Sequence, residues 1–224
     1  AITPRTRLVM FSSPSNPVGA ALGAGEIERL AAALPAHALL VFDEAYYEYG
    51  RLQDDYPDSL ALLQASRAPW IVLRTFSKAY SLAGFRVGYG IASEPGLAEL
   101  IDRLRTPFNV SRPAQAAALA ALADRAHLDR SLANVAAERA RVGDALARRG
   151  VAPYPSAGNF LFVPLPAPAE AVSDALLAHG VIVKPWREPG FTHCLRVTIG
   201  SPADNDHFLD ALDAVFAGAR HGLG

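Results

Sequence analysis

Trp70-Ile-Val-Leu73, followed by Arg74-Thr-Phe-Ser-Lys78-Ala-Tyr-Ser-Leu-Ala-Gly84-Phe-Arg86-Val-Gly88-Tyr-Gly90, decides how this chain is read. A short apolar run of strand length ends in two hydroxyls and a lysine, then reaches an arginine among glycines. Lys78 is one of only two lysines, while nearly every other cationic side chain is arginine. An amine kept where guanidinium is otherwise used points to amine chemistry. Arginine stays protonated, whereas a lysine can lose its proton and form a Schiff base with a carbonyl. Taken alone, Lys78 is more readily a solvated lysine at a strand end; the rest of the chain reverses that balance.

Outward from this stretch, short apolar runs alternate with helical ones. Leu8–Phe11, Leu39–Phe42, Trp70–Leu73 and Val87–Ile91 have the length and the β-branched or aromatic content of strands. Gly25–Leu34, Pro57–Ala65 and Glu94–Leu104 carry apolar residues at helical spacing. Alternation at this pace implies an α/β fold, with a mostly parallel sheet covered by helices. Pro113 opens an Ala-rich helix, and a second helix runs to about Arg149, where Gly150 ends it.

From Val151 the texture changes. Prolines cluster, and Asn159–Val163, Val181–Val183 and Leu195–Ile199 read as three strands, with a helix over about Ala169–Ala178. Ser201, Pro202 and Asp204 supply the N-cap, first position and first-turn acid of a last helix. The expectation is a large domain over 1–125 and a smaller α/β domain over 126–224.

Bulk properties exclude several functions. Hydrophobic residues make up 51% of the 224 residues, enough for a real core, and the net charge is −1 without any long run of like charges. No nucleic-acid partner is expected. Cys194 is the only cysteine, and His37, His127, His179, His193 and His207 lack metal-ligand spacing, so no metal is expected. No apolar run approaches the ~18 residues of a membrane span. Nor does the start resemble a signal peptide, and the cytoplasm is the expected location. The chain lacks an initiator Met and reads as though it begins inside a fold.

Four polar elements carry the chemistry. Ser13-Pro-Ser-Asn16-Pro-Val-Gly19 follows the first strand, Asp43-Glu44-Ala-Tyr46 closes the second, and Thr75-Phe-Ser77-Lys78 closes the third, with Arg86 beyond it. Leu195-Arg196-Val-Thr-Ile-Gly200 lies in the last strand. In open parallel sheets ligands bind outside the carboxyl ends of the strands, where the first three elements fall. Residues of these types suit pyridoxal phosphate, which needs an amine for its aldehyde, an anion beside its ring nitrogen and a cation with hydroxyls for its phosphate. An arginine suits a substrate carboxylate. Other readings stay open for single motifs. The acidic strand end fits an ATPase, although no Gly-x-x-x-x-Gly-Lys loop precedes it. Ser-x-x-Lys fits acyl transfer without its companion motifs, and Arg196 fits a charge on an edge strand.

Together, Asn-Pro-x-Gly, Asp-Glu-Ala-Tyr, Thr-x-Ser-Lys with Gly-x-Arg-x-Gly-Tyr, and Leu-Arg-x-Thr-Ile-Gly resemble the fold-type I aminotransferases, and most of all the histidinol-phosphate aminotransferases. The likeness runs along nearly the whole chain, through Pro107-Phe-Asn-Val110 and Gly200-Ser-Pro. It implies a three-layer, mostly parallel large domain, N-terminally incomplete, with a smaller C-terminal α/β domain. It implies pyridoxal 5′-phosphate as cofactor, an amino donor and a 2-oxo acid as substrates, and a homodimer. Lys78 then carries the cofactor and shuttles the proton, Asp43 faces the ring nitrogen, and Tyr46 and Asn16 bond the phenolic oxygen. Thr75, Ser77 and Arg86 hold the phosphate, and Arg196 binds the substrate α-carboxylate.

Three departures from the family pattern qualify this. Ser13, Ser15 and Val18 replace the usual neighbours of Asn16. Lys184 stands where the family often places an arginine facing the substrate's phosphate, keeping the charge but not the bidentate fork. The family's N-terminal part, with its phosphate-binding helix start and ring-stacking aromatic, has no counterpart. The expected function is transamination between histidinol phosphate and 2-oxoglutarate in histidine biosynthesis. An aromatic amino acid aminotransferase and a non-catalytic remnant of the same fold are the alternatives.

Overall fold

Four of the apolar runs form one sheet in the computed structural model, which describes residues 2–221. The strands β1 (Leu8–Ser12), β2 (Leu39–Asp43), β3 (Trp70–Thr75) and β4 (Gly88–Ala92) lie side by side in chain order. β1, β2 and β3 are parallel, with Ser12 opposite Asp43 and Asp43 opposite Leu73. β4 runs antiparallel to β3, with Gly88 opposite Thr75. The reversal follows from the connection. The connection from β3 to β4 holds only a single turn of 3-10 helix (Ala83–Phe85), without the α-helix that usually carries a parallel crossover.

One face of this sheet is closed by two helices, α1 (Ala24–Ala33) and α3 (Ser59–Leu63); the short α2 (Tyr47–Gly50) follows β2. Leu40, Phe42 and Val72 point from alternate strand positions into a core with Ile27, Ala31 and Leu63. Phe42, Leu40 and Val72 are fully buried, and each such side chain stabilises the fold by roughly 1.5–3 kcal/mol. This alternation fixes the register, because a slip by one residue would turn the core set outward. Two further helices, α4 (Pro95–Leu104) and α5 (Arg112–Ala123), complete the first unit, which comprises Ala1–Asn16 and Ala20–Leu132. Each carries proline in its first turn, where the missing N–H costs nothing.

The second unit comprises Pro17–Gly19 and Ala133–Gly224. The boundary falls inside the long helix α6 (Arg125–Arg148). Its sheet holds β5 (Phe160–Pro164), β6 (Lys184–Pro185) and β7 (Cys194–Thr198) in the order β5-β7-β6, all antiparallel. Helices α7 (Ala169–Ala178) and α8 (Pro202–His221) share a core with Val142, Leu146, Leu161, Val163, Leu195 and Val197. The strand expected at Val181–Val183 is displaced. The Val181 N–H donates to Leu176 O and closes α7, so pairing begins only at Lys184, opposite Arg196. Gly150, at φ 79°, ends α6 as its sequence position suggests. Among the described residues, no helix is long and apolar enough to cross a membrane.

A buried polar cluster anchors the end of β7. Asn205 is 3% exposed. Its Nδ2 donates to Glu138 Oε2 at 2.7 Å, and its Oδ1 accepts from Gly200 N at 3.0 Å. Arg141 donates to both carboxylate oxygens of Glu138, at 2.9 and 2.7 Å. Hydrogen bonds from Arg141 and Asn205 hold the Glu138 carboxyl below its ordinary range. A carboxyl depressed on folding adds stability above its unfolded value of 4.5, and that stability is lost as pH falls through the lower folded value. Denaturant titrations at descending pH should therefore show unfolding becoming easier below about pH 4.5. Glu138→Gln should lose part of that dependence.

Candidate active site

The parallel register carries the three motifs to one edge of the first sheet. β1 ends at Ser12, β2 at Asp43 and β3 at Thr75, so the loops that follow leave from the same side. β4 begins at that edge, opposite Thr75, and brings Arg86 with it. A cleft of about 320 Å³ opens there, lined by Asp43, Ala45, Leu73, Arg74, Thr75, Ser77, Lys78 and Arg86. This lies at the small end of the range for small-molecule sites. Asp43, Thr75, Ser77, Lys78 and Arg86 are all sequence-predicted site residues.

Local packing explains how each is presented. Phe76 and Ala79 are buried on either side of Ser77 and Lys78. Phe76 belongs to a cluster with Val87, Ala114 and Ala118, and its ring meets those of Tyr80 and Tyr89 at 5.0 and 5.8 Å. Burial of these flanking residues turns the two polar side chains toward the cleft. The Ser77 N–H donates to Thr75 Oγ1 at 3.1 Å, and the two hydroxyls lie 2.9 Å apart. Asp43 Oδ1 accepts from Ala45 N at 2.9 Å, which fixes the carboxylate against its own loop.

Arg86 occupies the left-handed region at φ 54° and donates from Nη1 to Ala83 O at 2.7 Å. Left-handed backbone costs a residue with a Cβ roughly 1–2 kcal/mol, and glycine is the usual occupant. An arginine held there at the rim of the cleft argues for a use of its charge. The buried Tyr46 has its ring 5.4 Å from Lys78 Nζ. Asn16 is exposed, in a loop pinned by Ser13. Ser13 Oγ accepts from Leu22 N at 2.9 Å, and Ser13 O accepts from Tyr56 Oη at 3.0 Å.

Arg196 and Lys184 belong to the second unit. They are cross-strand partners on β7 and β6, and Phe162 of β5 faces Arg196 from the other side. Directly opposed residues share a sheet face, so two cations stand side by side there. The Arg196 guanidinium lies 5.6 Å from the Phe160 ring centroid.

Sequence reasoning overlooked Arg74 and Glu44. Glu44 is fully buried, takes a hydrogen bond from Ser59 Oγ, and is met by Arg74 Nε and Nη2, each at 2.8 Å. The Arg74 guanidinium lies 3.4 Å from the Tyr47 ring centroid, a cation–π contact. Burial pushes the Glu44 carboxyl up, with Ser59 and Arg74 pulling the other way. Removing one partner of such a pair typically costs about 3–5 kcal/mol. The signal was faint: a lone acid after Asp43 and a lone base before Thr75.

The sequence model described as aminotransferase class I and II matches residues 1–212. The chain belongs to that family. Among curated relatives of this class I and II aminotransferase chain, histidinol-phosphate aminotransferase 1 of Mesorhizobium japonicum is 51% identical over 212 residues, covering 95% of this chain and 58% of its own length. Histidinol-phosphate aminotransferase 3 of Rhizobium meliloti is 48% identical, with 97% and 58% covered. A histidinol-phosphate aminotransferase from Sinorhizobium meliloti, solved in complex with pyridoxal-5′-phosphate, superposes with a TM-score of 0.87 at 37% identity, covering 95% of this chain and 58% of that one. The fold is the fold-type I class expected from the motifs. The chain spans somewhat under three fifths of the length of these relatives.

Gly88 is a position where the cleft depends on a missing side chain. A Cβ there would meet Arg74 O at 2.7 Å and Thr75 Cα at 3.4 Å, both backbone atoms of the paired strand. Gly88→Ala should push β4 off the end of β3 and destabilise the first unit by about 1–3 kcal/mol, measured by denaturant unfolding.

Proposed function

We propose that the chain works as a pyridoxal-phosphate-dependent aminotransferase, exchanging an amino group between histidinol phosphate and 2-oxoglutarate in histidine biosynthesis. The observation that carries this reading is that Asp43, Thr75, Ser77, Lys78 and Arg86 line one cleft. Two strand ends and a turn supply one amine, one carboxylate, two hydroxyls and one guanidinium. That donor set fits pyridoxal phosphate, and the family membership and the cofactor seen in the Sinorhizobium meliloti relative support it.

When bound, the cofactor supplies an electron-withdrawing ring that stabilises negative charge on the substrate's Cα. The chain's residues do the rest. Lys78 would hold the cofactor's aldehyde carbon through Nζ, and the same atom would move the proton at the substrate's Cα. The Asp43 carboxylate, fixed by Ala45 N–H, holds a proton on the ring nitrogen. Thr75, Ser77 and Arg86 hold the phosphate with hydroxyl and charge-assisted hydrogen bonds. Tyr46 and Asn16 donate to the phenolic oxygen. Arg196 takes the α-carboxylate of the glutamate and 2-oxoglutarate pair as a bidentate partner, and Lys184 beside it on the sheet takes the phosphate of histidinol phosphate as a point charge. The protein is proposed to act as a cytoplasmic homodimer.

Incubation with pyridoxal phosphate should produce the visible absorption of a Lys-linked cofactor. Borohydride followed by peptide mapping should find it on the Lys78 peptide, and Lys78→Ala should abolish it. No trapped cofactor, or trapping on Lys184, would contradict the assignment and favour a non-catalytic module of the same fold. Steady-state rates should favour histidinol phosphate over histidinol and over aromatic amino acids. In Lys184→Ala the advantage of the phosphorylated substrate should fall by at least about tenfold, the worth of one charge-assisted contact. Equal efficiencies in the unaltered chain would remove the phosphate assignment.

A further inference from the structure

Glu44 follows Asp43 directly, and Arg74 precedes Thr75. Their ion pair therefore joins the end of β2, which carries the carboxylate of the cleft, to the end of β3, which leads into Ser77 and Lys78. Three features make this joint stiff. Glu44 has no exposed surface and its other oxygen is taken by Ser59 Oγ. Arg74 reaches the same carboxylate oxygen from Nε and Nη2, so its fork cannot swing about one contact. The Tyr47 ring, 3.4 Å from the guanidinium carbon, holds the plane from one side. Backbone pairing already sets Asp43 opposite Leu73, and the Glu44 N–H donates to Leu73 O at 2.8 Å. Beyond Glu44 and Thr75 this pairing ends, and the side-chain pair takes over where both chains turn into the site.

We propose that Glu44 and Arg74 are positioning residues for the cofactor site: their buried ion pair sets the separation between the Asp43 carboxylate and the Lys78 amine. Neither side chain needs to touch the cofactor for this. The inference rests on the reading of Asp43 and Lys78 given above, and it is testable without the cofactor.

The amine itself can report the geometry. Lys78 and Lys184 are the only lysines, so reductive methylation with ¹³C-formaldehyde gives two lysine NMR signals, assigned with a Lys184→Arg variant. The charged groups lining the Lys78 cleft are Asp43 on β2, Arg74 on β3 and Arg86 after the 3-10 turn, with the Tyr46 ring beside the amine. Glu44→Asp keeps every charge but shortens the reach to Arg74. If the pair sets the spacing, Lys78 moves away from Asp43, and Arg74, less firmly held, turns its charge toward the cleft. Both changes disfavour the protonated amine. The Lys78 titration midpoint in the 224-residue chain should fall by about half a pH unit, the size expected when the balance of neighbouring charge shifts modestly. The Lys184 midpoint should not move.

Ser59→Ala serves as the control. It removes a hydrogen bond from Glu44 but leaves the joint between the strands, so it should lower the melting temperature without moving the Lys78 midpoint. Should Glu44→Asp not fold, Tyr47→Leu, which removes the ring beside Arg74 and no charge, is read in the same way. A Lys78 midpoint that stays in place or rises, with or without a loss of melting temperature, overturns the proposal and leaves the pair a purely structural one. Because the titration uses protein without cofactor, its outcome is separate from whether pyridoxal phosphate binds at Lys78.

Discussion

Parallel pairing of β2 with its neighbours on both sides is the constraint on which the rest of the structure depends. Ser12, Asp43 and Leu73 fall in one row. Three strands that run the same way must release their chains at the same edge, so motifs far apart in sequence meet there. The hydrophobic core underwrites this row. Leu40, Phe42 and Val72 can be buried only in one register, and that register puts Asp43 at a strand end rather than inside the sheet. A buried carboxylate one position earlier would be costly without a partner. At the end of the strand it can face a cleft.

Two kinds of polar group then share the strand ends. Asp43, Thr75, Ser77, Lys78 and Arg86 line the cleft, and Arg74 reaches it as well. Glu44 and Arg74 are spent on each other, with Ser59 and Tyr47. Their burial makes sense as a specification of geometry, since a buried ion pair offers little net stability over a well-packed apolar one. In the second unit the logic is reversed. Lys184 and Arg196 lie opposed on one sheet face, and the core of that unit lies with Leu161, Val163, Leu195 and Val197 at the alternate positions. The face that carries the two cations is itself largely apolar, with Phe160 and Phe162 buried beside Arg196.

Much of this was legible in the sequence because it depends on local pattern. The apolar runs before Asp43 and Thr75 gave both strand ends, and the helix over Ala169–Ala178 matches its periodicity to the residue. The scarcity of lysine singled out Lys78 without reference to any relative. What escaped depends on partners distant in the chain. Val181–Val183 has strand composition, yet α7 takes the Val181 N–H and leaves Ile182 86% exposed. The antiparallel course of β4 goes with a connection that carries no α-helix, only a 3-10 turn. The small unit's antiparallel sheet was likewise hidden by the alternation of strand and helix. Glu44 and Arg74 are thirty residues apart, and nothing local marks either as half of a pair.

On the proposed function, the edge of the first sheet receives one small aromatic aldehyde, with an amine before it and an acid behind it. A crystal structure of the chain grown with pyridoxal phosphate tests this most directly. Density continuous with Lys78 Nζ, its ring nitrogen within hydrogen-bond distance of Asp43 and its phosphate among Thr75, Ser77 and Arg86, is the expected result. Density joined to Lys184, or a ring whose nitrogen points away from Asp43, would contradict it.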